Sequence, residues 1–112
     1  MIIHNQIASE RWFALSLIEQ LANVGCDIER TIRWKNNGNI EYSQKAFERA
    51  LELIDFIVID PKNKGAQLRE ILRVREALVD YFVYDNEYSS TSESWQKYFF
   101  AFNYAAALMR GM

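Results

Sequence analysis

The chain holds a single histidine, a single cysteine, a single proline and four glycines among its 112 residues. Each scarcity removes a class of function. Nucleophilic triads and zinc sites draw on clustered histidine or cysteine, and here His4, the only histidine, stands at the terminus far from Cys26. Cys26 has no cysteine to pair with and sits in an apolar stretch, which points to a reduced, cytosolic setting. No Cys-x-x-Cys, no Glu-x-x-His pair and no glycine-rich phosphate loop occurs, so no metal, cofactor or enzymatic activity is expected. No uncharged apolar run approaches the ~18 residues of a membrane span. The opening Met1-Ile2-Ile3-His4-Asn5 lacks the basic segment and apolar run of a signal peptide.

What is present is the balance of a folded domain: 50% apolar residues, 25% charged, and a net charge of −2. A chain of this size hides roughly two-thirds of its extended surface on folding, so a single domain over 1–112 needs neither disulfide nor metal. The net charge neither recommends nor excludes nucleic acid as a partner.

Strong turn signals occur at three places: Asn36-Asn37-Gly38-Asn39, Asp60 to Gly65 around Pro61, and Tyr88 to Ser92, where Ser90 and Glu93 have capping-box spacing. The segments between them, about 7–36, 40–60, 66–86 and 92–109, follow the helical period. The first gathers Ala14, Leu17, Leu21, Val24, Ile28 and Ile32 on one face. The second gathers Ala46, Phe47, Ala50, Leu53, Ile54 and Ile57, with Glu41, Lys45, Glu48, Glu52 and Asp55 opposite. The third gathers Leu68, Ile71, Leu72, Leu78, Val79 and Phe82, with Arg69, Arg73, Glu76 and Asp80 opposite. In the fourth, Trp95, Phe99, Phe102, Ala106 and Met109 share a face. Short connections favour antiparallel neighbours, hence an all-α, up-down-up-down antiparallel four-helix bundle. The stretch Ala46 to Leu53 has the look of a tetratricopeptide helix but occurs once, which argues against a solenoid.

Few residues stand out against this background. Glu48/Glu52 and Glu76/Asp80 fall on solvent faces and read as hydrated surface. Arg30, Arg33 and Lys35 end the first helix, where Asp85, Glu87 and Glu93 are placed to neutralise them. Lys62, Lys64, Arg69 and Arg73 make a more purely basic end that suits an anion or RNA, although no continuous phosphate-tracking stripe is visible. Arg75 lies in the middle of the third helix's apolar face and must find a partner. Counting along an ideal bundle places it level with Gly25 or Cys26, Ala50 and Asn103, as a structural Arg75–Asn103 polar layer or as the floor of an anion pocket. In the fourth helix Phe100 and Tyr104 fall roughly 180° from Phe102, so that helix is apolar on two sides. With Ala107 allowing close approach and Trp12 and Tyr88 extending the patch, this suggests a contact surface for a second copy or another protein.

The segments Asp27 to Arg30, Ala46 to Asp55, Leu68 to Glu70, Arg75 to Phe82 and Asp85 to Tyr88 resemble a group of small uncharacterised prokaryotic helical-bundle proteins. More distantly, the layout is similar to the HEPN and nucleotidyltransferase substrate-binding bundles, and segment lengths are comparable to those of flagellin-export chaperones. The HEPN resemblance implies dimerisation. Its ribonuclease members use an Arg-x4–6-His motif, which this chain lacks after His4. The expectation is therefore a cytoplasmic, non-enzymatic protein-interaction module, self-associating as a homodimer through its last helix. The alternative is a HEPN- or substrate-binding-like bundle that takes a nucleotide, RNA or another anion at Arg75 or the Lys62–Arg73 end.

Overall fold

The computed structural model describes residues 6–111, with side chains from Glu10 to Gly111; His4 lies outside them. Five α-helices make up the regular structure: α1 (Gln6–Ala14), α2 (Leu17–Asn36), α3 (Ile40–Ile59), α4 (Ala66–Phe82) and α5 (Ser92–Gly111). The expected first helix is thus two. Ser16 breaks it by forming a capping box: its Oγ accepts from the Glu19 amide at 3.1 Å, and its own amide donates to Glu19 Oε1 at 2.9 Å. Ala14, expected on the core face, is consequently exposed.

The other boundaries have local causes. Gly38, at φ 82°, closes the turn after α2, and Asn39 caps α3 through its side chain. α4 stops at Phe82, short of the expected 86, because Asp80 turns the chain back. Its carboxylate accepts from the Glu87 and Tyr88 amides at 2.9 and 3.1 Å. At α5 the expected Ser90/Glu93 box does not form. Ser90 donates its amide to Asn86 Oδ1, while Thr91 and Ser94 cap each other, hydroxyl to amide, in both directions.

α2 lies between α3 and α5, and α4 packs against α3. Ile28 and Ile32 from α2, Ile54 and Ile57 from α3, Ile71 and Leu78 from α4, and Trp95 and Phe99 from α5 share one core. Met109, expected there, is exposed instead. Several cross-contacts tie the helices. Ser43 Oγ donates to the Thr31 carbonyl at 2.9 Å, and Arg49 reaches Asp27 at 3.3 Å. Phe47 meets Phe82 with ring centroids 4.9 Å apart, and the Tyr81 and Ser92 hydroxyls lie 2.8 Å apart. α2 also crosses α5 closely: a Cβ built on Gly25 would stand 2.8 Å from Phe99 Cβ. Only glycine permits that approach.

The phase of α4 differs from expectation. Ile71, Val74 and Leu78 are its buried residues, and Leu72 is exposed. At 100° per residue the true core face is rotated by roughly 60° from one centred on Arg75. No helix among the described residues is long and apolar enough to cross a membrane.

Candidate functional site

The rotation of α4 removes the proposed polar layer. Arg75 sits at the border of the core, with 35% of its side chain exposed, and pairs with Asp55 of α3 through Nε at 2.8 Å. It does not meet Asn103, which lines the opposite groove, between α2 and α5. An exposed ion pair of this kind satisfies the guanidinium at little gain in stability.

The basic end is also dispersed. The Lys62 ammonium is engaged by the Asp60 carboxylate and by the Phe13 carbonyl at 3.1 Å. Arg73 reaches Glu70 at 3.4 Å, while Lys64 and Arg69 are exposed. At the other end Arg30 pairs with Asp27 and Lys35 lies over the Tyr81 and Phe82 rings. Asp85, Glu87 and Glu93 form no ion pair with them.

The chemistry that patterning missed is a set of buried polar groups. Asp60, 3% exposed, accepts from Gln20 Nε2 at 2.9 Å and from the Lys62 amide at 3.1 Å, besides the ammonium. Asn63 donates to Gln20 Oε1 and to the Ile57 carbonyl, and Gln20 also donates to the Trp12 carbonyl. The cluster fastens the α1–α2 joint to the α3–α4 loop. Burial pushes the Asp60 carboxyl up, but the hydrogen bonds from Lys62 and Gln20 and the ammonium charge outweigh it, leaving it below the ordinary value. Asp27, 2% exposed, behaves oppositely. Its burial outweighs the Arg49 and Arg30 guanidiniums and raises its carboxyl above the ordinary value. Asp27 follows Val24 by three residues and so belonged to the apolar stripe; that was the available signal. Among the described residues no group of three or more acid, cysteine or histidine side chains is placed to hold a metal ion.

Two surface features remain. The outer face of α5 exposes Phe100 (64%), Tyr104 (58%) and Leu108 (50%), with the Phe100 and Tyr104 rings stacked at 6.2 Å and 23°. Ala107 is exposed on the same side. Trp12 does not extend this patch, contrary to expectation, because it packs against the core. Tyr88 is exposed but lies along α4, where it donates to Glu76 and lines a groove with Leu72, Arg75 and Tyr84. Cys26, expected among apolar neighbours, is exposed.

The second feature is the groove between α2 and α5, about 420 Å³ in volume. Arg30, Arg33 and Glu29 come from α2, and Trp95, Gln96, Phe99, Phe100 and Asn103 from α5. Cys26 and Asn103 also line a smaller adjoining groove of about 300 Å³ that reaches Glu19 and Arg110. No family model, no curated protein and no solved structure matches this chain.

Proposed function

We propose that this protein is a non-enzymatic interaction module that works as a homodimer through the outer face of α5. The observation that carries the reading is the exposed Phe100–Tyr104 stack on a helix whose opposite side, Trp95, Phe99 and Ala106, is buried. Exposed Phe100, Tyr104 and Ala107 are spaced four and three apart, as in the seam of a two-stranded helix pair, and the charged Glu93 and Lys97 continue the same spacing toward the start of the helix.

A second copy suits the face better than an unrelated partner. Set antiparallel about a two-fold axis near residue 102, Phe100 of one copy faces Tyr104 of the other, and the same contact repeats on the second side of the axis. The interface then completes itself. Ala101 and Ala107 flank the ring pairs and let the two backbones approach.

The reading takes α2 to α5 as an up-down-up-down bundle. The paired positions support that order: Asp27 with Arg49 and Thr31 with Ser43, Gly25 with Phe99 and Glu29 with Gln96, Asp55 with Arg75, and Tyr81 with Ser92. In each helix pair, later residues of one meet earlier residues of the other.

Phe100→Glu and Tyr104→Glu place like charges in the seam while touching no core contact. Size-exclusion chromatography with far-ultraviolet circular dichroism is expected to show monomers of unchanged helicity. An oligomer that survives both charges ends the proposal.

A further inference from the structure

We infer that the α2–α5 groove binds a small oxyanion, a carboxylate or phosphate, carried on a planar aromatic ring. The groove's volume, about 420 Å³, falls within the usual span of small-ligand sites. Its cationic side is built by Arg30 and Arg33, one helical turn apart on α2. Arg30 is held in place by Asp27, its Nη1 2.7 Å from the carboxylate. Arg33 is exposed and makes no ion pair among the described residues. The single carboxylate in the lining, Glu29, takes the Gln96 amide at 3.5 Å. One guanidinium is therefore fixed and one is available, and their planar forks match the oxygens of a carboxylate or phosphate.

The rest of the lining is suited to a ring. Trp95 and Phe99 form the inner wall and Phe100 stands exposed at the rim. Trp95 and Phe99, 7% and 2% exposed, back the groove, and Phe100, 64% exposed, is the ring on which a flat ligand would stack, with an arginine beside it adding a cation–π contact. The Gly25–Phe99 crossing fixes the separation of the two helices at this level, so the groove is formed before any ligand arrives.

Phe100 belongs both to the groove's rim and to the face through which self-association is proposed, so the test reads ligand binding and association separately. Isothermal titration of the full chain at low ionic strength uses three probes: adenosine monophosphate, 4-hydroxybenzoate and inorganic phosphate. The first two distinguish phosphate from carboxylate as the favoured anion, and the third isolates the ring. One ring-bearing anion is expected to bind once per chain and about tenfold more tightly than inorganic phosphate. Arg33→Glu should weaken that binding by roughly tenfold or more, and Arg33→Gln by several-fold. Arg73→Glu, the same charge change on α4, should leave it unaltered. Light scattering on the Arg33 variants shows whether association has changed alongside. Absence of binding by both ring-bearing probes overturns the inference. So does inorganic phosphate binding as tightly as they do, or equal weakening by the Arg33 and Arg73 substitutions.

Discussion

Asp60 and Asp27 are buried within one small protein yet are pushed in opposite directions, because their neighbours differ. Asp60 gains two hydrogen bonds and an ammonium, and its carboxyl lies below the 3.8 of an unperturbed aspartate. Its stabilisation is therefore present above pH 3.8 and lost as the pH falls through the lower folded value. Urea unfolding midpoints between about pH 6 and 2.5 should drop on acidification, and should drop less in Asp60→Asn. Equal acid sensitivity in that variant would contradict the assignment. Gly25 makes a second prediction at this scale. Alanine gains roughly 0.5–1 kcal/mol in helix propensity but forces Phe99 aside at about 1–3 kcal/mol. The contact is Cβ on Cβ, with no flexible side-chain end to yield, so the clash wins. Gly25→Ala should lose roughly 1 kcal/mol, a Tm decrease of about 4–8 °C by calorimetry. Legibility at this scale was uneven. That Arg75 needs a partner followed from its charge, but that partner, Asp55, stood in the face read as hydrated. Asp27 was hidden because an apolar stripe invites attention to its apolar members.

At the scale of helices, the three turn signals marked α3, α4 and α5 well, because glycine, proline and asparagine act through the local backbone. The break between α1 and α2 carried an equally local sign, Ser16-Leu17-Ile18-Glu19, but the helical period runs through it and the stripe alone reads as one helix. Ser16→Ala removes the cap and should cost about 0.5–2 kcal/mol in chemical denaturation. The phase of α4 was misjudged for a different reason. Leu68, Leu72 and Val79 lie beside Arg75 and drew the centre of the face toward it, while Val74 lies beyond the opposite edge. Tertiary packing on α3 decides between such wide alternatives, and the helix alone does not. Val74→Ala should therefore cost roughly 1–3 kcal/mol and Leu72→Ala less than about 1, measured by urea unfolding. The reverse order would restore the face centred on Arg75.

For the molecule as a whole, the all-helical class was legible because long amphipathic segments leave little choice. The lateral order of the helices was not. α2 occupies the centre because Gly25 admits α5 closely on one side, while Thr31, Ser43 and the Asp27–Arg49 pair bind α3 on the other; no periodicity announces such contacts. The two-sided apolarity of α5 was legible, and Phe100 and Tyr104 are exposed; that a second copy covers them is the proposal. Homodimerisation through α5 is the central claim, and the solution mass of the purified chain tests it most directly. Light scattering over a concentration series should give twice the 13.2 kDa chain mass, falling toward 13.2 kDa on dilution and throughout the series for Phe100→Glu. A wild-type mass of 13.2 kDa at every concentration would contradict it.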